Sequence, residues 1–195
     1  MEEDKINNRC KVLIIGGSAG SLNALMQILP NISAERSFAI VIILHRKNSG
    51  DLTLEELLAI KSKTPLKIIE DKTQLEAGFL YVVPSNYHLL FEKNGTLALD
   101  SSEKVNYSRP SIDVSFESAA EVYGKNVYGI LLSGSNTDGT AGLQAIERMG
   151  GIIVVQNPLS ADMPFMPKHA ILNTKPHYIL ITEEIIKFIK TINQK

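Results

Sequence analysis

At 195 residues and 21.5 kDa the chain is long enough for one globular unit with a substantial core and too short for two large domains. Its 20 basic and 21 acidic side chains leave a net charge of -1, with no basic stripe that would neutralise phosphates, so a nucleic-acid partner is not expected. The longest unbroken apolar run covers 38–44, far short of the about 20 residues of a membrane-spanning helix. The polar start Met1-Glu-Glu-Asp-Lys does not read as a secretory signal, and the single Cys10 excludes an internal disulfide or a cysteine-rich metal site. A soluble cytoplasmic protein without membrane insertion is expected.

In chain order, short runs rich in Val, Ile and Leu alternate with helical patterns, separated by Gly, Asn and Ser turns. The pattern predicts a strand over 11–15, a helix over 21–29, a strand over 40–44, a helix over 53–61, and strands over 66–69 and 79–83. Next come 87–92 and 96–99 around Asn94-Gly95, a pair suited to a type I′ turn and hence to an antiparallel hairpin. A helix over 110–123, a strand over 127–133, a helix over 140–149, and strands over 152–156 and 178–181 follow. The last helix covers 183–191, with Thr182 as its N-cap. This is the sequence form of repeated βαβ units: an α/β fold with a doubly wound, mainly parallel sheet and an inserted antiparallel β-hairpin. Residues 1–10 read as an N-terminal extension and 11–195 as one domain.

Three strand ends could carry chemistry. Gly16-Gly17-Ser18-Ala19-Gly20 is G-x-S-x-G between a strand and a helix, where a sharp turn exposes a serine hydroxyl and free helix-start N–H groups. The same residues would serve as a helix cap or a phosphate-binding turn, although G-x-G-x-x-G cannot be placed on 16–21. His45 ends the second strand and reads either as a surface loop residue or as a group within reach of Ser18, since adjacent strands lie about 4.8 Å apart. Asp138, in Gly134-Ser135-Asn136-Thr137-Asp138-Gly139, reads either as the N-cap of the next helix or as an orienting acid. Taken together, a serine, a histidine and an aspartate at the carboxyl ends of parallel strands have the complementary roles of nucleophile, general base and tautomer-fixing acid. Their order, Ser18, His45, Asp138, differs from that of the α/β-hydrolases.

These residues resemble the catalytic domain of the chemotaxis receptor methylesterase family, CheB, over 11–181. Ile15 through Gly20 is similar to its nucleophile turn and His45 to its histidine. Pro84-Ser85-Asn86-Tyr87-His88, Tyr107 through Asp113, Gly134 through Gly139, and Gln156-Asn157-Pro158 with Met166-Pro167 are similar to further signatures in the same order. The resemblance implies a single catalytic domain that hydrolyses glutamate methyl esters on the helical cytoplasmic part of methyl-accepting chemoreceptors, releasing methanol, and that deamidates certain receptor glutamines. It implies Ser18 as nucleophile, within about 3 Å of a His45 ring nitrogen. Asp138 then orients His45, N–H groups near Ala19 with the Ser135 turn hold the oxyanion, and no metal or organic cofactor is required. His88 and Arg109 are candidates for binding receptor carboxylates, with surface solvation and a helix-end ion pair as their alternatives; His169, His177 and Cys10 have no comparable setting.

The sequence departs from the family's pattern in places. Residues 1–10 are far fewer than the roughly 50 a receiver domain needs, so control is expected from a regulator in trans. Gly134-Ser135-Asn136 stands where the family commonly has Gly-Met-Gly, and Arg46-Lys47-Asn48 stands where Met-Pro is frequent, leaving room for altered substrate selectivity. The alternatives are an interaction domain of the same fold without efficient turnover, and an esterase for small esters unrelated to receptors.

Overall fold

In strand β1 (Lys11–Gly17), Val12 and Ile14 pack into one hydrophobic core and Leu13 and Ile15 into another, and all four are fully buried. A strand alternates its side chains between two faces, so an uninterrupted apolar run belongs to a sheet covered on both sides. Strand β2 (Phe38–Leu44) is built alike, buried at every position. The computed structural model describes residues 10–33, 35–46 and 52–194; residues 1–9 of the expected extension, and Lys47 and Asn48 after His45, lie outside the described residues.

The further strands are β3 (Thr73–Gln74), β4 (Leu80–Val82), β5 (His88–Phe91), β6 (Thr96–Asp100), β7 (Val127–Leu131), β8 (Ile152–Gln156) and β9 (Tyr178–Leu180). The helices are α1 (Ser21–Ile28), α2 (Thr53–Ser62), α3 (Ile112–Tyr123), α4 (Thr140–Arg148), α5 (Phe165–Asn173) and α6 (Thr182–Thr191). Six strands form one sheet in the order β4-β2-β1-β7-β8-β9, every neighbouring pair parallel. Leu25, Ile28, Leu58, Ile185 and Phe188 from α1, α2 and α6 pack with Leu13 and Ile15. Phe116, Leu143, Ile146, Met166 and Ala170 from α3, α4 and α5 pack with Val12 and Ile14. Helices on both faces make the sheet doubly wound, as expected. The chain runs outward from β1 through β2 and β4, then returns to its other side with β7, so the order reverses at β1. Ligand crevices in such sheets open at the carboxyl ends of the strands beside that reversal.

The hairpin is present and is extended by β3 into a three-stranded antiparallel sheet, β3-β6-β5. It packs on α3 through Phe91, whose ring meets Tyr123 edge-on at 5.8 Å and whose N–H donates to Ser118 Oγ at 2.8 Å. The turn departs from type I′: Gly95 has φ 87° but Asn94 is not at positive φ. Glu92 N donates to Thr96 O (2.9 Å) and Gly95 N to Glu92 O (2.9 Å), a longer loop that needs only one left-handed residue. The strand expected over 66–69 reduces to one parallel bridge, Leu66 to Leu80, at the sheet edge. Helix α3 begins two residues later than expected, after Pro110 and its N-cap Ser111. Helix α6 begins at Thr182, with Ile181 at the N-cap and the Glu184 carboxylate accepting the Ile181 N–H at 3.0 Å. Among the described residues no helix is long and apolar enough to cross a membrane.

Candidate active site

Ser18 follows β1 directly, and its backbone fixes the turn. Its N–H donates to Ser133 O at 2.9 Å, and its carbonyl accepts from Ser21 N at 3.1 Å and Ser21 Oγ at 2.6 Å. Its side chain caps nothing: the N-cap of α1 is Gly20, with φ 80° and no side-chain cap bond. A side chain at Gly20 would be strained by that φ and would meet Asp162 Cβ at 2.6 Å. The amides of Ala19 and Gly20 have no acceptor among the described residues, as an anion-receiving turn requires. Ala19 is exposed, and its carbonyl accepts from Ser133 Oγ at 2.8 Å. Ser135 is exposed on the loop after β7 and makes no hydrogen bond among the described residues.

His45 lies beside this turn because β1 and β2 run in register, Gly17 opposite Leu44, and His45 N donates to Gly17 O at 3.2 Å. Its imidazole is held from both ends. Nε2 lies 2.7 Å from Asp138 Oδ2, while Nδ1 lies 3.2 Å from Asn136 Nδ2 and 3.4 Å from Ser108 Oγ. An ionised carboxylate only accepts, so Nε2 carries the proton and donates to Asp138. Nδ1 therefore presents its lone pair and accepts from the Asn136 amide and the Ser108 hydroxyl. The expected hydrogen bond from Ser18 Oγ to the ring is not made; unliganded sites of this type are often looser than the reacting one.

Asp138 is fully buried and does not cap its own helix, whose N-cap is Gly139. It accepts instead from the start of α3: Ile112 N at 2.7 Å, Asp113 N at 2.9 Å and Ser111 Oγ at 2.9 Å, with Gly139 N at 3.1 Å. Gly16 permits this approach, since a Cβ there would stand 2.5 Å from Ile112 Cγ2. Burial works to raise the Asp138 pKa, but the His45 hydrogen bond and the amides of Asp113 and Ile112 prevail and hold it below the usual aspartate value.

Asp113 is the counterpart beneath it. Its carboxylate accepts Gly142 N at 2.8 Å, tying α4 to α3, and burial, with the Asp138 charge adding to it, pushes its pKa up to about 7. A carboxyl whose pKa is raised on folding stabilises the fold below its unfolded value and loses that contribution as pH rises to the folded value. Stability is therefore expected to fall between about pH 4 and pH 7, with a limiting slope of about 1.4 kcal/mol per pH unit. Asp113→Asn keeps an oxygen for Gly142 N and removes the titration, so its urea midpoint should stay level across that window while the wild-type midpoint declines. Parallel declines would show that Asp113 does not titrate there.

His88 requires a correction. It is fully buried, its Nδ1 accepting from Ser111 N at 3.1 Å and its Nε2 donating to Glu103 O at 3.0 Å. With both nitrogens bound to backbone it neither sits in solvent nor reaches a substrate carboxylate; it secures the N-cap of α3. Arg109 is no helix-end ion pair: its Nη1 donates to the carbonyls of Ser101 and Ser102, and it lines a cavity shared with His45 and Ser108. Cys10 is half-buried, and burial pushes its thiol pKa up. Sequence reasoning assigned no role to Ser108, Ser111, Asp113 or Asn136. Of these only Ser111 carried a local signal, a serine after proline at the start of a helical pattern.

A family model described as CheB methylesterase matches residues 13–189. A Leptospira interrogans protein is 42% identical over 188 residues, covering 94% of this chain and 95% of that one. A Thermotoga maritima protein-glutamate methylesterase/protein-glutamine glutaminase is 30% identical over 186 residues, and the match spans only 54% of its length. The crystal structure of the Thermotoga maritima CheB methylesterase catalytic domain superposes with a TM-score of 0.89 at 28% identity, covering 96% of this chain and all of that one. A nearly full-length family match, and a shared fold with the same doubly wound sheet, make this chain a member of the CheB methylesterase family.

Proposed function

We propose that the protein is a cytoplasmic serine esterase that demethylates glutamate γ-methyl esters on the helical cytoplasmic region of chemoreceptors. Ser18 Oγ attacks the ester carbonyl as its proton passes to His45 Nδ1. Asp138 steadies the imidazolium through Nε2–H, and the amide of Ala19, with the Ser135 turn, receives the oxyanion; one such donor is worth about 3 kcal/mol. Collapse of the tetrahedral intermediate breaks the bond to the methoxy group, which leaves as methanol with the proton from Nδ1. Water, deprotonated by Nδ1, then resolves the acyl-enzyme to a glutamate carboxylate and free Ser18. A receptor glutamine entering the same path would release ammonia.

The observation that carries this reading is the 2.7 Å bond from His45 Nε2 to a buried, depressed-pKa Asp138, which leaves the Nδ1 lone pair as the ring's acceptor, at the end of the strand adjoining the serine's. The protein is expected to release methanol from a methylated receptor fragment, and ammonium from a fragment with glutamine at the same positions. Asn136 and Ser108 occupy Nδ1 where Ser18 would bond, and this favours the second reading, a receptor-interaction domain without turnover. Receptor binding with no methanol released would select that second reading.

A further inference from the structure

The cavity against His45 has a volume of about 470 Å³, room for more than one side chain. Arg46, Lys104 and Arg109 line it together with His45, Tyr107, Ser108 and the neutral Asn86, and among the described residues no carboxylate lines it. This is an uneven share of cations for a chain of net charge -1.

The three cations differ in what stands behind them. Both terminal nitrogens of Arg46 reach Glu55, Nη1 to Oε2 at 3.1 Å, and Glu55 is only 3% exposed, so this pair fixes the guanidinium and adds no net charge. Arg109 is anchored by neutral carbonyls; its Nε is buried without an acceptor, and Nη2 makes no hydrogen bond among the described residues. Asp100 feels the Arg109 charge but is not paired with it; its carboxylate is turned to Ser102, accepting the N–H at 2.9 Å and the hydroxyl at 2.7 Å. Lys104 is exposed, and no described carboxylate pairs with it. Two cations that form no ion pair among the described residues thus line a cavity whose wall includes the imidazole. A guanidinium N–H without an acceptor is suited to a carboxylate oxygen, and a lysine supplies a mobile second charge.

We infer that this cavity is a subsite for a carboxylate side chain adjoining the ester, so that the enzyme selects glutamate methyl esters set in acidic helical segments. The inference rests on the methylesterase reading for the placing of the ester at Ser18. Arg109 takes the carboxylate through Nη2, Lys104 closes over it, and the almost fully exposed Tyr107 stands at the rim.

Two helical peptides test this, each with one glutamate γ-methyl ester, one with glutamates and the other with glutamines on the neighbouring turns. The wild type should favour the acidic peptide by about tenfold in kcat/KM at low ionic strength, with the gap closing as salt is added. Lys104→Glu, at an exposed position where folding is not at stake, should reduce that ratio, and adding Arg109→Gln should abolish or invert it. Binding of the same peptides by the wild type, followed by fluorescence anisotropy, separates this inference from the reading beneath it. Tighter binding of the acidic peptide with no methanol from either retains the subsite and removes the esterase. Methanol from both at equal kcat/KM, or an acidic preference that survives both substitutions, removes the subsite and leaves the esterase.

Discussion

Ser18→Ala is expected to lower methanol release by about 10⁴- to 10⁶-fold, the range seen when one member of a serine triad is removed, while the fold stays as stable as the wild type to within about 0.5 kcal/mol. The two halves of this expectation come from different atoms. Everything that Ser18 contributes to the turn passes through its backbone: its N–H to Ser133 O, and its carbonyl to Ser21 N and Oγ. Its hydroxyl has no hydrogen bond among the described residues, so alanine orphans no buried partner. Methanol production and urea unfolding, measured on the same preparations, check both halves. Unchanged turnover in Ser18→Ala would transfer the nucleophile's role elsewhere, whereas loss of activity with loss of folding would show that the turn depends on the hydroxyl.

Asp138→Ala should be damaging in both measurements. Five donors converge on this carboxylate: His45 Nε2, Ile112 N, Asp113 N, Ser111 Oγ and Gly139 N. Removing it leaves buried N–H groups unsatisfied, and a loss of about 3–5 kcal/mol is expected. The imidazole also loses the group that sets its tautomer, for a further fall in kcat of about 10⁴. Asp138→Asn, which keeps one acceptor oxygen, should fold better than alanine and be comparably inactive. The two variants therefore separate the structural from the chemical use of one side chain. The sign of the pKa shift adds a check. A carboxylate held below its usual value contributes stability above its unfolded pKa and loses it as pH falls, so wild-type stability should drop below about pH 4. That drop should be smaller in Asp138→Ala, as followed by urea unfolding at a series of pH values.

The strands were legible because a sheet covered on both faces writes itself as unbroken Val, Ile and Leu. The same signal misled at 66–69, where Ile69 is buried but Ile68 is 46% exposed, leaving an edge segment with one bridge. Helix α5 was hidden by its prolines. Pro164 is its N-cap and Pro167 its third residue, positions where a missing N–H costs no internal hydrogen bond, so apparent breakers mark a helix start. Ser18, His45 and Asp138 could be picked out because strand ends are marked in sequence by the change from apolar run to small polar loop. Asn136 and Ser108 could not, since their contacts with the imidazole join residues 91 and 63 positions away. Nor could the buried state of His88, which depends on backbone groups of Ser111 and Glu103 that only the tertiary fold supplies. The alternative of Asp138 as a cap for the helix after it fails for the same reason: the motif shows which helix follows an aspartate, not which one docks against it.

The first turn of α3 is shared property. Ser108 and Arg109 stand in the cavity wall, and after Pro110 the chain delivers Ser111, Ile112 and Asp113 to the buried acid. Ligand preference and proton affinity are thus threaded on a single short stretch of polypeptide. Substitutions at the exposed Lys104 would alter ligand preference and leave the buried acid untouched, whereas any insertion between 108 and 112 would retune the base while it reshaped the mouth.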